Sequence, residues 1–193
     1  MFSEKAGRPM ATHDDEGRHR FERLVLPHLD AAYNLARWLT RNDHDAEDVV
    51  QEAMMRALRY MDSCRGDDAK AWLLRIVRNS CFDWLKENRP AERQFLDEDG
   101  EALNEIAAPH ADEPHAIASR NAERRQINDA IAALPAAYRD VLVLREIEDL
   151  SYSEIARIAD IPVGTVMSRL ARARGLLRQM LSPAVAPALR VVA

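Results

Sequence analysis

The chain has 193 residues, enough for one ordinary domain or two small ones, and 31% charged residues against only 6 glycines predict an all-helical protein. A net charge of −5 argues against holding nucleic acid by bulk electrostatics, so DNA affinity is expected to be local and to lean on a protein partner. No apolar run approaches membrane-spanning length, and the polar start of the chain argues against a secretory signal or a membrane anchor.

In chain order, residues 1–19 show no period and are expected to be disordered. Over residues 20–40, Phe21, Leu24, Val25, Leu29, Ala32, Tyr33, Ala36 and Leu39 recur every three or four positions, which predicts helix kinked or split at Pro27. After a polar break at 41–44, Asp45 is expected to cap a helix with Glu47 and Asp48 in its first turn. That helix runs through Val49, Val50, Ala53, Met54, Ala57, Leu58 and Met61. Residues 62–68 read as a loop. A further helix over 69–86 is expected to bury Trp72, Leu73, Ile76, Val77, Ser80 and Trp84. These helices make a first domain at 20–87.

The pattern then changes. Residues 88–115 are acidic, carry Pro90, Pro109 and Pro114, and read as a flexible linker. Ile127, Ala130, Ile131 and Leu134 mark the next helix, which Pro135 ends. Pro135 also opens a helix with Val141, Leu142 and Leu144 in the core. The second domain, 116–181, closes on a pattern of two short helices and a tight turn, and residues 182–193 form a loose tail.

That closing pattern is the strongest local signal. Ser151 and Glu154 form a Ser-x-x-Glu capping box, so a helix is expected to start at Tyr152. Asp160-Ile161-Pro162 breaks it, because the residue before a proline is pushed out of the helical region, and Pro162 suits the first turn of a second helix. Val166, Leu170, Ala173 and Leu177 face inward at helical spacing, leaving Thr165, Ser168, Arg169, Arg172 and Arg174 on the other faces. A polar opening followed by arginines is what a recognition helix needs in a major groove. The plain alternative is any amphipathic helix pair with a basic face.

Four strings in this order carry a family resemblance. They are Asp45-Ala-Glu-Asp-Val-Val-Gln-Glu52, the loop Ser63-Cys-Arg-Gly-Asp67 followed by Ala71-Trp-Leu-Leu-Arg-Ile-Val-Arg-Asn79, Leu134-Pro-Ala-Ala-Tyr-Arg-Asp-Val-Leu-Val-Leu-Arg145, and Tyr152 to Arg174. Over about residues 20–181 the chain resembles a bacterial sigma factor of the extracytoplasmic-function group of the sigma-70 family. The resemblance implies two small helical domains, a region 2 bundle and a region 4 helix-turn-helix, on a flexible acidic linker. It implies a cytoplasmic, non-catalytic subunit of RNA polymerase that needs no cofactor. Region 2 is expected to dock on the clamp helices of the polymerase and to open and read the −10 element. Region 4 is expected to sit near the flap and read the −35 element. The resemblance also implies control by an anti-sigma factor, a partner that holds the sigma factor inactive until a signal arrives.

Carried over by residue, Asp45, Asp48, Gln51 and Glu52 are expected to bind polymerase from one solvent-facing stripe. Ser63, Arg65 and Asp67, around Gly66, offer donors and acceptors to a flipped base of the −10 element, with Arg75, Arg78 and Asn79 on the displaced strand. At the −35 element, Ser168 and Arg172 are expected to touch bases, while Thr165, Arg169 and Arg174 hold phosphates. Met167 stands where relatives often place arginine, so one guanine contact is expected to be missing and the −35 preference altered.

Other readings are weaker. The spacing of His110 and His115 beside Asp112 and Glu113 fits no helical metal-ligand pair, and no nucleophile motif or phosphate-cradling glycine loop occurs, so neither metal nor catalysis is expected. Cys64 and Cys81 make no disulfide framework, and Cys64 is expected to be a spectator rather than a redox sensor. A self-sufficient helix-turn-helix regulator would leave the first domain without a purpose. A sigma-like decoy would not need an intact promoter loop.

Overall fold

The computed structural model describes residues 11–90 and 117–181, without the side chains of 11–15, Asp67 and 117–122. Nearly all of the expected linker, His110, His115 and the tail lie outside the described residues. Helix α1 (Ala11–Leu24) begins within the segment expected to be disordered. Its last turns are tied down by an Arg18–Glu22 pair one turn apart and by Arg20, whose Nη2 donates to the Cys64 carbonyl at 2.6 Å.

Pro27 splits the first apolar run, as its missing N–H and fixed φ require. A 3-10 turn (Leu26–His28) follows α1 and leads into α2 (Leu29–Thr40). Helix α2 buries Ala32, Leu35, Ala36 and Leu39 and stops at Arg41, whose φ of 59° is left-handed. The expected cap of the next helix is displaced. Asn42, not Asp45, caps α3 (Asp43–Arg59), its side chain accepting from the N–H groups of His44 and Asp45. Asn42 is the residue with extended backbone, which leaves Asp43 and Asp45 inside the first turn. Two 3-10 turns (Met61–Ser63 and Gly66–Asp68) form the loop before α4 (Ala69–Asn88). Helices α2, α3 and α4 pack on one another as the first bundle.

In the second domain α5 (Ile117–Ala133) turns at Pro135 into α6 (Ala136–Glu146). Every residue from Ala136 to Leu144 is buried, including Arg139 and Asp140. A helix buried on all sides is central to its fold. Helix α7 (Tyr152–Ala159) starts at the expected capping box and ends at Asp160, whose φ of 56° is left-handed. Helix α8 (Val163–Leu181) then buries Val166, Leu170 and Ala173 against α6.

The two domains are docked, not merely tethered. Helix α2 packs on α6 and α4 packs on α7, so Leu35, Leu73, Leu144 and Ile155 belong to one continuous core. Polar contacts frame this junction. Arg139 donates to Ala132 O, Leu134 O and, across the junction, Leu39 O. Lys70 Nζ reaches both the carbonyl and the carboxylate of Glu148, at 2.9 and 3.0 Å, and Arg157 pairs with Asp68. Arg78 Nε meets Asp140 Oδ2 at 2.6 Å with the two side chains 11% and 0% exposed.

Candidate nucleic-acid interface

The turn that follows α7 aims α8 outward. Ser151 accepts from the Glu154 N–H and Glu154 answers the Ser151 N–H at 2.8 Å, which fixes where α7 begins. The Ser151 hydrogen bonds also hold the Glu154 carboxyl below the usual carboxylate range. With Val166, Leu170 and Ala173 inward, the opposite face of α8 presents Gly164, Ser168, Ala171 and Arg172 to solvent, with Met167 exposed on its flank. No acidic residue lies on this helix.

The expected −35 residues fall into distinct settings. Ser168 is exposed and its hydroxyl donates to the Thr165 carbonyl at 3.0 Å, so both lone pairs remain available to a base or phosphate. Arg172 is exposed, and its Nη1 donates to the Tyr138 hydroxyl at 3.4 Å, which steadies the guanidinium. Thr165 is half-buried at the helix start. Arg174 is bound to Glu146 at 2.7 Å. Arg169 does not join the outward stripe. It lines a polar cleft between the domains together with Arg56, Arg78, Asn79 and Lys86.

On the first domain the 62–68 loop is braced. Met61 and Cys64 are buried and pin it to the bundle. The Ser63 hydroxyl donates to the Tyr60 carbonyl at 2.7 Å and accepts from the Trp72 indole at 3.1 Å. Ser63 is thus already used as a donor, while Arg65 and Gly66 are exposed. Tyr60, 57% exposed beside the loop, is an aromatic surface that sequence reasoning did not single out. Of the α4 candidates, Asn79 is exposed, Arg75 faces Asp160 at 3.9 Å, and Arg78 is taken up by Asp140. Docking thereby turns Arg78 and Asn79 toward the same cleft as Arg169.

Helix α3 carries two parallel stripes. Asp48, Gln51 and Glu52 are exposed and Asp45 is half-buried, with Glu52 held by Arg56 at 2.5 Å. Beside them runs an open apolar groove whose walls include Phe21, Leu29, Tyr33, Met54, Met55 and Leu58. Met55 is 63% exposed and Leu58 49%, so α3 carries apolar side chains outside the face that packs into the core. The sequence pattern had assigned Leu58 to the same run as the core residues, since a period marks a face and not what covers it.

A recognition helix on one all-helical domain, and an acid-bordered apolar groove with a braced loop on the other, define a DNA-reading factor that works with a protein partner. Comparison with known proteins agrees. The Sigma-70 region 2 family matches residues 24–90, and the Sigma-70, region 4 family matches residues 124–177. An ECF RNA polymerase sigma-E factor of Haemophilus influenzae is 38% identical over 155 residues, spanning 77% of this chain and 80% of that protein. The RNA polymerase sigma-H factor of Pseudomonas aeruginosa is 34% identical over 170 residues, spanning 86% of this chain and 88% of that protein. Among solved structures, the sigma factor RpoE of Bartonella quintana, in complex with the anti-sigma factor NepR, superposes with a TM-score of 0.60 at 30% identity, over 83% of this chain and 96% of that one. The chain belongs to the extracytoplasmic-function sigma factors of the sigma-70 family.

Among the described residues, no helix is long and apolar enough to cross a membrane. No cluster of three or more His, Cys, Asp or Glu side chains there is placed to hold a metal ion.

Proposed function

We propose that this alternative sigma factor binds core RNA polymerase through the α3 stripe of Asp45, Asp48, Gln51 and Glu52 and the apolar groove beside it. An acidic edge along an apolar trough suits a basic amphipathic helix, which is the chemistry expected of the polymerase clamp. Region 4 then reads the −35 element through Ser168 and Arg172. The 62–68 loop, with Ser63, Arg65 and Asp67 as its candidate contacts and Arg65 exposed, receives a base of the opened −10 element. The chain itself performs no catalysis and acts in the cytoplasm. The observation that carries this reading is the coexistence on one chain of an outward recognition helix and the acid-bordered groove.

Simultaneous reading of both elements requires the domains to part. The element names place them about 25 base pairs apart, roughly 85 Å of B-form DNA at 3.4 Å per base pair. In the docked state Arg78 of one domain lies 2.6 Å from Asp140 of the other. We infer that the docked form is the resting one and that polymerase binding separates it. An anti-sigma factor, such as the one bound to the Bartonella relative, would hold this chain inactive by occupying the groove or clasping the docked domains.

Two substitutions test the division of labour. Asp48→Ala is expected to weaken binding to core polymerase and leave −35 selection by the assembled holoenzyme unchanged. Arg172→Ala is expected to leave polymerase affinity unchanged, cost roughly 1–3 kcal/mol at the −35 element and blur its sequence preference. Polymerase titration followed by promoter selection measures both. Equal effects of the two substitutions on both readouts contradict the assignment.

A further inference from the structure

The outward stripe of α8 is not uniformly polar. At about 100° per residue, Gly164, Ser168, Ala171 and Arg172 fall on the side opposite buried Val166, Leu170 and Ala173, and Met167 stands on the flank of that stripe, about 90° from the buried line. Met167 is 54% exposed there, a large apolar side chain in the first turns of a helix whose charged residues are all arginines. Ala171, one turn further along, is exposed beside it. A Cβ added at Gly164 would meet nothing within 4 Å, so the backbone at the front of the stripe is bare and open to close approach. A single exposed methionine on an ordinary surface needs no explanation. This one directly precedes Ser168 and lies three residues after the bare glycine, at the edge of the face that enters the groove if region 4 reads DNA as proposed.

In the major groove, the only apolar group a base pair offers is the C5-methyl of thymine. Met167 has no hydrogen-bonding hydrogen and a flexible thioether that adapts to such a methyl, while Ala171 adds a small apolar neighbour. Ser168 and Arg172, on the same exposed side of α8, bring that side against base edges, so Met167 and Ala171 meet the groove rather than water. We propose that Met167, supported by Ala171, is a specificity-determining residue of this sigma factor and selects a thymine in the −35 element by contact with its methyl group. This rests on region 4 reading the −35 element. It differs from the polar readout assigned to Ser168 and Arg172, because no hydrogen bond is involved.

The test uses holoenzyme assembled from the full chain and core polymerase. The −35 sequence is first obtained by selection from a randomised promoter pool. Each thymine of the selected element is then replaced by deoxyuridine, which removes only the methyl group. Wild type is expected to lose about fourfold in promoter affinity at one thymine, the worth of one buried methyl group. Met167→Ala is expected to bind that promoter more weakly and to show no further loss with deoxyuridine. Met167→Arg is expected to shift selection at that position toward guanine, whose O6 and N7 accept from a guanidinium. Because Met167 is exposed, neither substitution disturbs the core. The proposal is overturned if the selected element has no thymine there, or if wild type and Met167→Ala respond alike to deoxyuridine. If the holoenzyme selects no −35 sequence at all, the region 4 reading itself falls, a result distinct from the loss of methyl sensitivity alone.

Discussion

Asp140 shows how much of a residue's setting depends on its partners in the fold. It is 0% exposed, one carboxylate oxygen meets Arg78, and the other has no partner among the described atoms. Nothing in the sequence announces this, since Arg139 and Asp140 read as two ordinary charges on a helix, and their burial depends on elements distant in the chain, Leu39 and Arg78 among them. The N-cap of α3 was misread for a related reason. Asn42 and Asp45 are both good caps by residue type, and the choice rests on which one has extended backbone. The cysteines were more legible. Cys64 is 1% exposed and Cys81 0%, and burial pushes both thiols up, with the Asp140 charge adding to the effect at Cys81. Neither thiol is therefore expected to react with a disulfide reagent in the native protein, and both should react once it is unfolded. Rapid native-state labelling of Cys64 would instead make it a candidate sensor.

At the scale of elements, local chemistry is strongest where the signal is contiguous. Ser151, Glu154, Asp160 and Pro162 set the ends of α7 and the start of α8 within a dozen residues, so the helix-turn-helix could be read directly. The apolar groove on α3 could not, because Leu58 was grouped with the core by its spacing and Met55, two residues from buried Ala53 and Ala57, stands outside the core period and was not singled out. The capping box makes its own prediction. Ser151→Ala removes one side of the box and is expected to destabilise the second domain by about 1 kcal/mol in thermal or denaturant unfolding. Its pH dependence has a definite sign. The folded Glu154 pKa is lowered, so its contribution is complete above the unfolded value, roughly pH 4.3, and is lost as pH falls through the folded value. The stability difference between wild type and Ser151→Ala should therefore narrow in acid, leaving the bond from the Glu154 N–H to the Ser151 hydroxyl as the remainder. A difference that grew as pH fell would contradict the capping geometry.

For the whole molecule, the sequence conveyed two helical units and the order of their motifs, but not their embrace. Docking depends on pairs far apart in the chain, such as Arg78 with Asp140 and Lys70 with Glu148, whose partners no local pattern links. The junction is rich in charge as well as apolar surface. Buried ion pairs gain little over their hydrated states, whereas removing one partner of a pair that stays buried costs about 3–5 kcal/mol. A junction of this kind holds firmly yet can be rehydrated when the domains separate. Arg78→Ala is expected to leave helix content unchanged while opening the domains, seen as a larger radius of gyration in solution scattering. An unchanged radius would show that Asp140 does not depend on Arg78 for docking.

The most direct test of the central claim is run-off transcription by purified core polymerase over a promoter library, with and without this protein. Initiation at a small set of sites only in its presence, with shared −10 and −35 elements among them, is the predicted result. A folded, inhibitor-free protein that binds DNA yet directs no initiation would contradict it.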